Sequence, residues 1–230
     1  DWLATELVAD GWSLKRLHRT LLTSTTYRQS SRRDASKDAV DPANALFGRY
    51  AVRRLDAETL RDRILQTTGR LERTMHGQAV AVVEDAVGQV VIPDEHNRRS
   101  VYLQVRRSKP VAFLSLFDAP APDLNCDRRP SSTSAPQSLL LMNSEFMRKQ
   151  AEHLARRLQA DKAGQAVDQV RLAWELAYQR IPDSAEVDLA RRFLERQTEH
   201  LRAMRKDPEF GALTNLCQQL LASNEVLHVE

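Results

Sequence analysis

The stretch SLLLMNSEFMRKQAEHLARRLQA, residues 138–160, decides the fold class of this 230-residue chain. Its apolar residues recur at spacings of three, four and seven, and these are Leu140, Met147, Ala151, Leu154 and Leu158. Such spacing puts them on one face of an α-helix that packs into a core. Residues 167–179, 184–205 and 208–223 repeat the pattern. The sequence therefore predicts that residues 138–230 are helical.

Residues 1–75 also predict helices. A first helix covers residues 1–9, and Ser13 caps a second one with Leu14, Leu17, Leu21 and Leu22 at core spacing. Residues 30–41 form a polar linker. Asp56 begins a charged helix to about residue 73, whose inward face carries Leu60, Ile64, Leu71 and Met75.

The pattern changes over residues 76–137. Valines between residues 79 and 92 flank the sequence EDAVGQ, which favours a hairpin. Residues 98–108 alternate in the manner of a strand, and residues 118–137 form a long loop that we expect to be ordered. The predicted fold is mainly α and bundle-like, with a small antiparallel β element around residues 79–108, or α+β by strict count. We expect a single domain over residues 1–230.

Composition excludes several classes of protein. The chain is 42% hydrophobic and 28% charged, which is ordinary for a globular protein. A formal net charge of +3 and the lack of a known reading motif predict no nucleic-acid binding. No run of 18 apolar residues occurs, so we expect no membrane insertion.

The predicted strand lies within NRRSVYLQVRRSKP, residues 97–110, and has an arginine pair at each end. Alternation would place Arg99 and Arg107 beside a buried rib of Val101, Leu103 and Val105, where they would be structural. The opposite face would be polar and would carry Arg98, Tyr102 and Arg106.

The long loop adds polar groups that could meet this polar face. The predicted anion-binding residues are Arg98, Tyr102, Arg106, Arg128, Arg129, Thr133, Gln137 and Asn143. Planar guanidinium forks suit carboxylate, sulfate or phosphate groups. The alternative is structural: the arginines pair with Asp118, Asp127 and loop carbonyls to hold an irregular segment.

Other chemistry has weaker support. Asp118 and Glu145 are candidate paired carboxylates for glycoside hydrolysis, although the sequence cannot supply their separation. Asp94, Glu95 and His96 are adjacent and would point apart in an extended segment, so no metal site is predicted. Cys126 and Cys217 could form a disulfide or remain free thiols.

Several long strings carry a resemblance that extends from residue 1 to about residue 230. They are GWSLKRLH (11–18), TSTTYRQSS (23–31), RRSVYLQVRRS (98–108), FDAPAPDLNCDRRPSSTSAPQSLLLMNSEF (117–146) and LTNLCQQLLASNEVLHVE (213–230). In these the chain resembles the planctomycete domain-of-unknown-function family numbered 1553.

The resemblance implies the C-terminal domain of a large periplasmic, cell-envelope or exported protein that also carries a cytochrome-c-like domain. Haem c would then belong elsewhere in the parent protein, with no cofactor in this domain, and no reaction is implied. Two functions remain open. One is binding of an anionic group, such as that of an acidic or sulfated polysaccharide; the other is a non-catalytic module that docks the cytochrome-like or another neighbouring domain.

Overall fold

A computed structural model describes residues 1–121, 125–161, 166–204 and 207–229. The chain divides into two compact units. The smaller contains Asp1–Arg53 and the C-terminal residues from His228, and the larger is Arg54–Leu227. A single domain over residues 1–230 stays a prediction.

The described residues form eleven α-helices and four short strands. The helices are α1 (Trp2–Ala9), α2 (Leu14–Thr23), α3 (Ala35–Val40), α4 (Ala57–Thr67), α5 (Ala112–Leu116), α6 (Ala135–Asn143), α7 (Glu145–Asp161), α8 (Ala166–Tyr178), α9 (Ser184–Leu201), α10 (Pro208–Leu221) and α11 (Asn224–Leu227). The strands are β1 (Arg53–Arg54), β2 (Val83–Glu84), β3 (Val90–Val91) and β4 (His228–Val229), arranged as two two-stranded sheets, β1 with β4 and β2 with β3. The predicted class, mainly α with a small β element, is confirmed.

The core of the larger unit is built around α7. Met147, Ala151, Leu154 and Leu158 are fully buried, as their spacing predicts. Helix α10 packs on α7 and α9, and α4 packs on α7 and adds Leu60 and Ile64 to the same core.

Residues 138–160 are not one continuous helix, as the sequence predicts, but parts of α6 and α7. Ser144 separates the two helices with an extended backbone (φ −69°, ψ 144°). Its hydroxyl accepts a hydrogen bond from the backbone N–H of Met147 at 3.3 Å. A serine that caps the next helix competes with continuation of the previous one, which explains the break.

Helix α4 ends at Thr67 instead of continuing to residue 73. Gly69 has φ +73°, and the Arg70 N–H donates to the Leu65 carbonyl at 2.8 Å. A left-handed glycine with such a bond is a common helix end. Beyond it Met75 is exposed, so its predicted inward position is wrong.

The predicted hairpin is confirmed, but the prediction of a strand over residues 98–108 is wrong. Strands β2 and β3 pair antiparallel, with Val83 opposite Val91. Over residues 98–108 the structure has a 3₁₀ turn (Ser100–Tyr102), with single bridges at Arg98 and Leu103. Of the predicted rib only Leu103 is buried.

Asp62 of α4 is the physical reason that the strand does not form. Its carboxylate accepts the N–H and the hydroxyl of Ser100, both at 2.7 Å. These bonds hold the backbone in a turn, and the Tyr102 N–H then donates to the Arg99 carbonyl at 3.0 Å. Hydrogen bonds with a side chain here take the place of the backbone hydrogen bonds that a strand would form with its neighbour.

In the smaller unit, α1 and α2 form as predicted and the Ser13 hydroxyl caps α2. The predicted core stripe of α2 is wrong, however, because Leu14, Leu21 and Leu22 are exposed. The spacing is that of an amphipathic helix, yet Leu17 is the one residue of the predicted stripe that is half-buried.

Candidate anion-binding cleft

Three arginines line one cleft of about 550 Å³ in the larger unit, and we call it the arginine cleft. Arg106 and Arg107 come from the irregular segment after the 3₁₀ turn, and Arg129 comes from the long loop. Its wall also contains the polar residues Asp56, Glu58, Thr59, Ser100, Gln104 and Ser115. The apolar residues are Val101, Leu103, Val105, Pro110, Val111, Leu114, Ala119, Pro120 and Ala121.

Arg106 is held in place by the hairpin. Its guanidinium donates to the Val82 carbonyl at 2.5 Å and lies 3.8 Å from the Glu84 carboxylate. Lys109 donates to the same carboxylate at 2.8 Å. Glu84 is therefore shared between two cations, which leaves part of the Arg106 charge uncompensated.

Arg129 ties the long loop to the start of α4. It donates to Glu58 at 2.6 Å and lies 3.8 Å from Asp56. The hydrogen bond with Glu58 raises the pKa of Arg129, so this guanidinium is charged at any physiological pH. Both side chains of the closer pair are partly exposed, and such a pair contributes little to stability.

Arg107 is exposed and makes no hydrogen bond or ion pair with any residue in the described ranges. Of the three arginines in the cleft it is the one whose donors are available to a ligand. Arg107 therefore departs from the sequence-based division of roles, in which alternation makes it structural, whereas Arg106 lines the cleft as predicted.

Arg98, predicted to face a ligand, is structural. It donates to the backbone carbonyls of Thr74, His76 and Gln78 at 3.1, 2.6 and 3.1 Å. Its guanidinium also stacks 4.1 Å above the Tyr102 ring, whose hydroxyl accepts the His76 N–H. Arg99, predicted to flank a buried rib, is instead mostly exposed and lies 3.7 Å from Asp62.

Asp118 holds the beginning of the long loop, where it adopts φ +63°. Its carboxylate accepts from Arg54 at 2.5 Å and from the N–H and hydroxyl of Ser132, at 2.8 and 2.9 Å. Arg54 also donates to the carbonyls of Phe117 and Ser132. Burial alone would raise the pKa of Asp118, but the hydrogen bonds from Ser132 and Arg54 outweigh it and lower that pKa.

The two candidate catalytic carboxylates are not brought together. Asp118 is occupied by Arg54 and Ser132, whereas Glu145 accepts from Lys149 at 2.8 Å. Glu145 lines a second cavity whose wall does not include Asp118. A shared pair for glycoside hydrolysis needs both carboxylates at one sugar, so this geometry does not support it.

The other predicted ligand residues lie outside the cleft. Gln137 is buried, donates to the Leu116 carbonyl at 2.9 Å and forms a capping box with Ser134. Arg128, Thr133 and Asn143 are exposed and do not line the cleft. Of the eight predicted anion-binding residues, Arg106 and Arg129 are brought together there.

Sequence reasoning missed Arg61, which is 2% exposed. It lies on α4 and donates to the carbonyls of His96 and Arg98 at 3.0 and 2.9 Å, and to the Ser100 hydroxyl at 3.3 Å. Burial lowers its pKa to about 10, although the neighbouring Asp62 acts in the opposite direction. The one local signal is that Arg61 directly follows Leu60 on the inward face of α4.

Both cysteines are free thiols in the structure, so no disulfide joins them. Cys126 is exposed in the long loop, while Cys217 is fully buried on α10. Burial raises the pKa of Cys217 above its ordinary value. A buried, protonated thiol is a small apolar core residue and not a nucleophile.

We expect a maleimide reagent to modify one cysteine of the native protein at neutral pH and two after denaturation. Cys126 is accessible, whereas Cys217 needs unfolding to reach both solvent and its thiolate form. Intact-mass spectrometry counts the adducts. Two adducts on the folded protein would contradict the buried position of Cys217, and C126S is the control that should carry none.

Two further observations concern the described residues. No helix in those ranges is long and apolar enough to cross a membrane. In the same ranges no three His, Cys, Asp or Glu side chains form a group that could hold a metal ion.

Comparison with known proteins gives one match. No curated protein matches this chain, and no solved structure matches it. A family model described as PSD1, protein of unknown function (DUF1553), matches residues 1–194. That match covers most of the chain, so the protein belongs to the DUF1553 family.

Proposed function

We propose that the arginine cleft binds an anionic group, carboxylate or sulfate, carried by an acidic polysaccharide. The observation that carries the proposal is the open position of Arg107 in a cleft that Arg106 and Arg129 also line. A guanidinium offers two parallel donors, and bidentate bonds to a planar anion are among the stronger hydrogen bonds in proteins.

The remaining wall suits a sugar ring. Valine, leucine and proline side chains give it an apolar floor, while the exposed hydroxyls of Thr59 and Ser115 can pair with sugar hydroxyls. Ligand sites generally combine such an apolar wall with a few polar groups. At about 550 Å³ the cleft lies within the usual range of ~300–1,000 Å³ for small-molecule sites.

Two carboxylates in the cleft oppose anion binding. Asp56 and Glu58 face Arg129, so the five charged side chains of the wall sum to +1, three arginines against two acids. An incoming anion must compete with Glu58 for the guanidinium of Arg129. We therefore expect modest affinity that falls as salt concentration rises.

Titration calorimetry with tetragalacturonate tests the proposal. R107A and R129A should each weaken binding by about tenfold or more, since a hydrogen bond to a charged group contributes ~1.5–3 kcal/mol. E58Q should strengthen binding several-fold because it removes the internal competitor. The methyl-esterified tetrasaccharide, which lacks the charge, should bind far more weakly.

R128A is the matched control, because Arg128 is an exposed arginine of the same loop that does not line the cleft. It should bind as the wild type does. Equal affinities of wild type, R107A and R129A, or no binding at all, would overturn the proposal.

The location of the parent protein and its other domains are also part of this proposal. Resemblance to the planctomycete family supports an exported or envelope-located protein with a cytochrome-c-like domain that would hold haem c. If the cleft binds no anion, the alternative function is a module that docks that neighbouring domain, with the same exposed arginines as contacts.

A further inference from the structure

Helices α1 and α2 of the smaller unit leave large apolar side chains in contact with solvent. Trp2, Leu3 and Val8 of α1 are exposed. None of the eight residues of α1 is buried, although the helix is apolar apart from Thr5 and Glu6. A helix of that composition is normally covered, so this surface is suited to contact with an apolar partner.

Helix α2 is amphipathic and has cations on its polar side. At ~3.6 residues per turn, its leucines share one side of the helix and its basic residues lie on the other. The leucines are Leu14, Leu17, Leu21 and Leu22, and the basic residues are Lys15, Arg16 and Arg19. The exposed apolar face is therefore bordered by positive charge.

Trp12 connects the two helices and continues the apolar surface. Its N–H donates to the Leu7 carbonyl at 2.8 Å, and it adopts φ +61°, which is rare for a bulky residue. The side chain is 71% exposed. The turn thus holds an indole ring in solvent just before the exposed leucines of α2.

The charge of this segment has one sign. Residues 11–33 contain six lysine and arginine residues and no acidic residue. Arg16 pairs with Asp10 at 2.9 Å and Arg33 with Asp38 at 2.8 Å.

The other four cations make no side-chain hydrogen bond or ion pair within the described part of the chain, and these are Lys15, Arg19, Arg28 and Arg32. Asp1, Glu6 and Asp10, in or beside α1, are the nearest acids in sequence, and Asp10 is engaged by Arg16. A partner of this surface that complements its charge is therefore anionic.

We propose that α1, Trp12 and α2 form a docking surface for an anionic lipid bilayer. The leucines and indole rings enter the boundary between headgroups and acyl chains, where tryptophan is favoured, and the cations contact lipid phosphates. At eight and ten residues, the two helices lie on the bilayer and do not cross it. The arginine cleft and the function proposed for it play no part in this inference.

Co-sedimentation with lipid vesicles tests the proposal. The chain should bind vesicles of equal parts phosphatidylglycerol and phosphatidylcholine at least about tenfold more tightly than vesicles of phosphatidylcholine alone, and added salt should weaken the binding. Tryptophan emission should shift to shorter wavelength and be quenched by brominated lipids. Trp2 and Trp12 are exposed, whereas Trp174 is buried, so the change should largely disappear in W2F/W12F.

Two double variants separate the apolar contribution from the charge. L14S/L22S removes apolar area without changing charge, and K15Q/R19Q removes two cations. Each should weaken binding to the anionic vesicles by about tenfold or more.

The matched controls change exposed residues of the larger unit. L139S/L189S replaces two exposed leucines, and R128Q/R196Q replaces two exposed arginines. Both should bind the anionic vesicles as the wild type does.

The proposal is overturned if the wild type binds neither kind of vesicle, or binds both equally, or if either folded α2 variant binds as the wild type does. Sedimentation velocity supplies a further check. A dimer that dissociates in L14S/L22S, without any vesicle binding by the wild type, would assign the face to a second copy of the chain and also overturn the proposal. If L14S/L22S does not fold, K15Q/R19Q and the lipid preference of the wild type decide.

Discussion

Replacement of Arg61 by methionine is expected to lower the free energy of unfolding by ~3–5 kcal/mol. Methionine fits a buried apolar position but cannot donate to the carbonyls of His96 and Arg98 or to the Ser100 hydroxyl. Each unsatisfied buried acceptor costs ~1–3 kcal/mol. Asp62 would also lose one of its two neighbouring cations, the one 3.8 Å away, and keep Arg99. Urea denaturation followed by circular dichroism measures the loss.

R171M is the control for this substitution. Arg171 lies on α8 with an exposed side chain, so its replacement should change the free energy of unfolding by no more than about 0.5 kcal/mol. A loss below about 1 kcal/mol in R61M would show that water can replace the guanidinium, and that Arg61 does not hold residues 96–100.

The helices could be predicted from the sequence because their determinants are local. The buried face of α7 follows from residues three and four apart, and the cap of α2 follows from Ser13 itself. The break at Ser144 could not be predicted with the same certainty, since apolar residues continue on both sides of it.

The irregular segment over residues 98–108 could not be predicted because its determinants are distant in sequence. Alternation of polar and apolar residues favours a strand there, but Asp62 captures Ser100 from 38 residues away. Once the turn forms, Val101 and Val105 are exposed. The alternation of side chains between the two faces of a strand then no longer predicts which arginines share a face.

The dependence on contacts that are distant in sequence also explains which site residues could be predicted. Arg106 and Arg129 could be proposed because the sequence places arginines near a polar segment and in a long loop. Arg54 and Arg61 were missed, since their partners lie 64 and 35–39 residues away. An arginine on a helix is usually exposed, so the position of Arg61 next to Leu60 is too weak a local signal to mark it as buried.

Arg61 also connects two cavities of the larger unit. It holds Ser100, which lines the arginine cleft, and its own side chain lines the second cavity. Helix α4 thus contributes to one wall of each cavity through a single buried side chain.

Replacement of Asp118 by asparagine is expected to cost ~2–4 kcal/mol of stability at pH 7. Asparagine has the same shape and also tolerates the positive φ of this position, so the substitution removes the charge with little backbone strain. Arg54, whose side chain is 8% exposed, would lose its carboxylate partner while still buried. Its Nε already lacks a hydrogen-bond partner, so no spare contact compensates.

The pH dependence of the stability loss in D118N distinguishes loss of the ion pair from a change in side-chain packing. The pKa of Asp118 is lower in the folded protein than its ordinary value of ~4, so its contribution is fully present above that value. The contribution disappears as pH falls through the lower folded pKa. The difference in unfolding free energy between wild type and D118N should therefore be constant from about pH 5 to 7 and shrink below pH 4. D127N is the control, because it changes an exposed carboxylate of the same loop and should match the wild type across this range. A difference between wild type and D118N that does not change with pH would contradict the ion-pair explanation.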